Sequence, residues 1–390
     1  MTKQQRKVLS TLLRVVLGLV FITLAVHGVA VHDRVTIQPA EGDVEGKQRR
    51  YRLLGATETT ITVRDSDGTE LVLPRERVAT DEQGSESIER GLVTAFRSSD
   101  GRILLLAFVV FSPVTFIQSL RFQFMLRAQE IRISYWESVK LCFGGNFLNF
   151  AFPIGSTGGD VLKAYYTSLH TTRKTEAVTT ILLDRIAGLS GLLVVAGAVS
   201  FTGSAHPMLR KVGATACVLM GIFLVGAWMA ISPRITNLAP RRLLSRLPGA
   251  DHISRIHGAT ERLIRHLPTV GLCLLLSVVL QSIALGACVL CAYALGMDFS
   301  GARAWDYFAF IGAGQLVAAI PISVLGLGTM EFAYKQFFLD AYGTLPQLLC
   351  LALWVRLLQL FWALPGAVVT LFGSYRPRRL AAEVEQERLD

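Results

Sequence analysis

The sequence predicts an all-α polytopic membrane protein with inverted repeats and two re-entrant or broken-helix regions, plus a small β-rich extracytoplasmic insert after the first span. Three observations predict it. The 390 residues are 52% hydrophobic and only 17% charged, with a mean hydropathy of +0.45, far from the soluble average. Six apolar runs are long enough to cross a bilayer. Two further apolar stretches are interrupted by Pro, clustered Gly and charged residues, for which a plain span has no use.

The formal net charge is +10. In a soluble chain that would suggest nucleic acid. Here the Arg clusters flank apolar runs, so they read as topology signals and lipid head-group contacts, and nucleic acid is not an expected partner. All six cysteines, Cys142, Cys217, Cys273, Cys288, Cys291 and Cys350, lie in apolar segments. Cys288-x-x-Cys291 has redox spacing, but no second Cys pair or His stands near it in sequence, so packing is the expected role. No Walker A loop, zinc signature or nucleophile elbow occurs, and no cofactor or metal is expected.

Residues 1–32 form the first unit, a polar basic start followed by an apolar run from Val8 to Val31. The run is long for a signal peptide and lacks a clear small-x-small cleavage site, so an uncleaved anchor is expected. Residues 33–97 change character. Val35–Ile37, Tyr51–Leu54, Thr59–Val63 and Glu70–Leu73 read as short strands, with Asp65-Ser-Asp-Gly68 as a hairpin turn. Gln83-Gly-Ser-Glu-Ser87 reads as a linker. This segment carries no catalytic set, and a structural or partner-binding role is expected.

Residues 98–376 form the main membrane unit, followed by a polar tail over 377–390. Its spans are Arg102–Leu120, interrupted at Ser112-Pro113, then Ala177–Phe201, Val212–Ile231, Val270–Leu295 and Leu348–Phe372. Arg121, Arg127, Arg132 and Lys140 read as a basic stretch following a span. Residues 233–267 hold seven Arg against Asp251 and Glu261, the strongest positive-inside signal in the chain. Placing that loop and both termini in the cytoplasm, with 136–170 and 303–345 re-entrant, closes the topology. Arg210-Lys211, on a short outer loop, runs against it.

The stretch Gly144–Tyr166 organises the rest. It carries Asn146 and Asn149, is stopped by Pro153, continues through Gly158 and Gly159, and ends with Asp160 and Lys163. Broken backbone at membrane depth survives only where protein buries it or it lines a wet cavity. A second such stretch holds Gln315, Pro321, Gly326, Gly328 and Glu331. The two lie in corresponding places of oppositely oriented halves, Arg102–Phe201 and Val270–Phe372, a plan known from transporters whose sites lie at the repeat interface.

Asn149-x-x-x-Pro153…Gly158-Gly159-Asp160-x-x-Lys163, Asp184-Arg185-x-x-Gly188 and Pro321…Gly326-Leu-Gly328-x-x-Glu331 resemble the flippase-like integral membrane family that includes the membrane portion of lysylphosphatidylglycerol synthases. The likeness covers about Arg102 to Arg376. It implies movement of a phospholipid or lipid-linked head group between leaflets. Lys163 stands where the family commonly has Arg, so the bidentate fork is missing there. Fewer than twenty residues follow Phe372, and aminoacyl transfer by a soluble synthase domain is not expected.

A head group needs a hydrated polar groove to cross hydrocarbon. The candidate lining is Asn146, Asn149 and Gln315 for neutral hydrogen bonds and Asp160 and Glu331 for a cationic group or proton. Lys163, Arg185 and Arg356 would serve phosphate, and Gly158, Gly159, Gly326, Gly328, Pro153 and Pro321 would shape the breaks. Structural roles compete. Asp184 and Arg185 diverge on a helix and each needs another partner, Arg356 can simply pair Glu331, and Asp160 with Lys163 can be an exposed helix start. The expected function is therefore a lipid flippase-like transporter of a bacterial-type cytoplasmic (inner) membrane, either monomeric or homodimeric. An intramembrane lipid-modifying transferase and a scaffold binding an extracytoplasmic protein through residues 33–97 are the alternatives.

Overall fold

A computed structural model of the chain describes residues 16, 17, 19–24, 27, 29–38, 49–65, 67–80, 86, 88–151, 158–169, 171, 173–202, 207–231, 266–297, 299, 303–320, 323, 326–339 and 342–372. Most of the expected first span, the 81–85 linker region, the Arg-rich 232–265 loop, both prolines of the breaks and the basic tail lie outside these residues. Helical residues between 16 and 24 form α1.

The segment after it is a five-stranded antiparallel sheet in the order β4-β3-β2-β1-β5. Its strands are β1 (Arg34–Ile37), β2 (Arg49–Ala56), β3 (Thr60–Arg64), β4 (Glu70–Pro74) and β5 (Ile88–Glu89). Alternation sets the buried face: Val35 and Ile37 on β1 pack with Ile61 and Val63 on β3. The β3–β4 hairpin turns where expected. Gly68 takes φ +93°, Asp65 O accepts from Gly68 N, and Asp67 Oδ1 accepts from Thr69 N at 3.0 Å. Among exposed groups here, the Arg75 guanidinium bonded to Glu86 holds that carboxyl below its usual range. Strand β5 was not anticipated; two residues are too few to show alternation.

The remainder is helical: α2 (Leu92–Arg97), α3 (Gly101–Phe111), α4 (Val114–Ala128), α5 (Tyr135–Ala151), α6 (Gly158–Leu169), α7 (Lys174–Ser200), α8 (Pro207–Ile231), α9 (Leu267–Ala294), α10 (Arg303–Ala319), α11 (Thr329–Phe338), α12 (Leu345–Ala363) and α13 (Pro365–Leu371). Among the described residues five helices are long and apolar enough to span a bilayer: Gly101–Ala128, Lys174–Ser200, Pro207–Val225, Leu267–Ala294 and Leu345–Ala363. They match five of the six expected spans. Asp100 starts the first by accepting from the backbone N–H groups of Arg102 and Ile103, as an acidic N-cap does.

Two expectations are corrected. The second span is interrupted at Ser112-Pro113 as expected, but it does not end at Leu120: its helix continues to Ala128. Arg121 and Arg127 therefore belong to the helix, and Arg121 is buried rather than part of a surface stretch. Arg210 and Lys211 sit within the first two turns of α8, not on a loop.

The order of elements from α3 to α7 recurs from α9 to α13: a 28-residue span, a 17-residue helix, a break, a short helix, and then a span. Helix α10 stops at Ala319, two residues before Pro321, because the residue preceding a proline resists the helical conformation, and the described part of α5 reaches Ala151. Neighbour relations recur when the two sets are exchanged. Helix α5 packs on α6 as α10 packs on α11, α6 on α7 as α11 on α12, and α7 on α10 as α12 and α13 pack on α5. The central span α9 packs against α3, α4 and α7. Gly191 of α7 permits its contact: a Cβ there would lie 2.7 Å from the Ser277 carbonyl carbon.

Candidate functional site

Three adjoining cavities of about 290, 230 and 210 Å³ run between the two sets of helices. All three are lined by Asn149, and neighbouring ones share Asn146, Gln281, Gln315, Gln359 and Ala319. Together they make one groove in which amides stand among apolar side chains such as Leu280, Phe150 and Trp362, with an Arg–acid pair at the 290 Å³ cavity and another at the 210 Å³ cavity.

The 290 Å³ end is built by α4, α5, α6, α7 and α9, with Ala319 of α10 at its edge. Helical spacing puts Gln118 and Arg121 on the same face of α4, turned inward. Arg121 donates Nε–H to Asp184 Oδ1 at 2.8 Å and a second N–H to Ser277 Oγ at 2.8 Å. Lys163 Nζ stands 4.0 Å from the other oxygen, Asp184 Oδ2, and 5.3 Å from the centre of the Phe122 ring. Arg121, Lys163 and Asp184 are each 5% exposed or less, so this is a buried three-charge cluster. Beside it Arg185 pairs with Asp160 at 2.7 Å. The partners that Asp184 and Arg185 needed, pointing apart on their helix, are thus Arg121 with Lys163 and Asp160. The exposed-helix-start reading fails for Lys163, which is 4% exposed.

At the 210 Å³ end Arg356 on α12 donates to both oxygens of Glu331, at 3.0 and 3.1 Å, and to the carbonyl of Gly326 at 2.9 Å. Glu331 Oε2 also accepts from Gly328 N at 2.8 Å, closing the first turn of α11. Gly326 and Gly328 have φ of +67° and +81°, which a side chain would resist, so both glycines are required by the turn. The two ends correspond. Each acid is the third residue of its short helix, and each partner Arg lies 25 residues on (160 to 185, 331 to 356).

The amides hold the middle. Asn146 Nδ2 donates to Gln118 Oε1 at 3.1 Å, and Gln281 Nε2 to the Gly188 carbonyl at 3.2 Å. Gln315 Nε2 faces Cys288 Sγ at 3.5 Å. Asn149 Oδ1 accepts from Gly159 N at 2.8 Å, tying the end of α5 to the start of α6 across the break. Gly159 itself faces Gly145: a Cβ would lie 2.0 Å from the Gly145 carbonyl oxygen, so only glycine allows the approach. Gly158 opens α6. Pro153 and Pro321 lie outside the described residues.

Of the sequence candidates, Asn146, Asn149, Asp160, Lys163 and Arg185 come together at the first end, and Gln315, Gly326 and Arg356 line the second with Glu331 behind Arg356. Gln118, Arg121, Asp184, Gln281 and Gln359 also line the groove without having been chosen. Four of them carried a readable signal, a polar side chain within an apolar run. Arg121 was hidden because the apolar window ends at Leu120 while the helix does not.

A model of the lysylphosphatidylglycerol synthase TM region matches residues 90–366. The match begins after the sheet and covers every helix of the groove. No match is found among curated proteins. The chain is therefore a multi-pass membrane protein that belongs to the lysylphosphatidylglycerol synthase TM region family.

Proposed function

We propose that the protein moves the polar head of a phospholipid or lipid-linked molecule between leaflets, through a groove at the interface of two inverted repeats. The observation that carries this reading is the continuity of the three cavities through Asn149, with a matched Arg–acid pair near each end. A lipid-related family supports it. The recurrence of element order and neighbour relations supports the repeats, and the helix breaks beside Pro153 and Pro321 support re-entrant segments entering from opposite sides.

The chemistry follows from the lining. A head group in hydrocarbon loses its hydration, and fixed amides and charges replace it at lower cost than lipid tails can. The acyl chains stay in the bilayer while the head passes the amide tract. The domain plan follows: an N-terminal anchor, an extracytoplasmic sheet, and a transport unit in the cytoplasmic membrane with the basic loops inside.

The test is leaflet exchange in proteoliposomes of the full chain, with fluorescent phospholipids and an impermeant quencher. Wild-type protein should expose inner-leaflet label to the quencher, and Asp160→Asn and Glu331→Gln should each slow that exposure. Exchange no faster than in empty liposomes would refute transport. A new lipid species in the extract would instead support transferase chemistry.

A further inference from the structure

We propose that the 290 Å³ end of the groove is a site for one phosphate-type anion, and that the head group it takes is a lipid phosphodiester of net negative charge. The inference rests on the groove reading above and names the class of its cargo.

The argument is a charge count. Among the described residues, the ionisable side chains lining this cavity are Arg121, Lys163, Arg185, Asp160 and Asp184. Asp160 is engaged by Arg185 at 2.7 Å. Asp184 serves two cations: Arg121 holds Oδ1 at 2.8 Å, and Lys163 approaches Oδ2 only to 4.0 Å. Three cations thus face two carboxylates, and one positive charge is left over beside Lys163, which is 4% exposed. Isolated charge is expensive in such a place. An amine-bearing head group of net positive charge would add to the excess. An anion cancels it, and a carboxylate-free phosphodiester does so with oxygens that also accept from the amide donors of the wall.

The excess belongs to one end only. Lys163 lies three residues after Asp160, and Tyr334 lies three residues after Glu331. Both side chains pack against a glycine of the preceding helix. A Cβ on Gly145 would lie 3.0 Å from Lys163 Cε, and one on Gly314 would lie 2.4 Å from Tyr334 Cε1. At corresponding places one half carries a buried ammonium and the other a buried phenol. At the second end the ionisable groups among the described residues are Glu331 and Arg356, one acid against one base. The anion therefore has a preferred station at the Lys163 end and a weaker one at the Arg356 end. A cavity of about 290 Å³ holds a phosphate with a small substituent and leaves acyl chains outside.

The test is binding by detergent-solubilised full chain, by native mass spectrometry, of short-chain phosphatidylglycerol, short-chain phosphatidylcholine and inorganic phosphate. The expected result is phosphatidylglycerol binding roughly ten-fold tighter than phosphatidylcholine. Lys163→Gln should erase that preference and Lys163→Arg should keep it. Equal affinity for the two lipids in wild-type protein would overturn the proposal even if neither variant folds. Preference surviving in Lys163→Gln would overturn the role of Lys163. Inorganic phosphate binding as tightly as phosphatidylglycerol would overturn the lipid source of the anion. Leaflet exchange on the same preparation separates the two readings. Anion preference without exchange removes transport and keeps the site; exchange without preference keeps transport and removes the anion site.

Discussion

Replacing Glu331 by Gln tests whether the groove's ion pairs hold it together. The substitution takes from Arg356 an anionic partner contacted at 3.0 and 3.1 Å, while its bond to the Gly326 carbonyl stays. At 3.0 Å and an effective dielectric near 20, the gross attraction is about 5–6 kcal/mol. The side chains are 17% and 14% exposed, so desolvation is substantial and offsets roughly half of it. We expect Glu331→Gln and Arg356→Met each to cost about 3 kcal/mol, and the double variant little more than either. Reversible unfolding in mixed micelles, read as a double-mutant cycle, should give a coupling of about 2–3 kcal/mol. The Asp160–Arg185 pair is 27% and 34% exposed, and its cycle should give only about 1 kcal/mol. Additive losses at Glu331 and Arg356, with coupling under about 0.5 kcal/mol, would refute the reasoning.

Three further outcomes follow from close approaches and backbone angles. Gly159→Ala should destabilise the protein by about 2–3 kcal/mol and shorten its thermal half-life, since the new Cβ would lie 2.0 Å from the Gly145 oxygen. Gly221→Ala on α8, with nothing within 4 Å, should be neutral or stabilise by up to about 1 kcal/mol. Gly68→Ala, at φ +93°, should cost about 1–2 kcal/mol locally and speed amide exchange in β3 and β4 while leaving that of α9 unchanged.

Much of this was legible in the chain because the bilayer fixes span length and leaves few options for a polar residue inside it. The stretch Leu267–Ala294 announces itself by composition, and helix α10 ends beside Pro321. The acids at 160 and 331 were visible as a matched pair, and the common spacing of 25 to Arg185 and Arg356 was there to be read. Partnerships across long separations were not. Arg121 and Asp184 are 63 residues apart, and no local pattern says that α4 and α7 meet. Burial of Lys163 was equally hidden, because it depends on α6 lying against the glycines of α5. Arg121 shows a further limit. A hydropathy window ends at the first charge, whereas a helix ends where its backbone bonds stop, here at Ala128.

The claim that one wet groove connects the two ends is tested most directly at Ala319, which lines both the 290 and the 210 Å³ cavities. In a background freed of its native cysteines, Ala319→Cys in sealed, oriented vesicles should react with a small membrane-impermeant thiol reagent added from either side, and short-chain phospholipid should slow the reaction. A thiol that stays unmodified from both sides, while remaining open to a lipid-soluble reagent, would contradict the account.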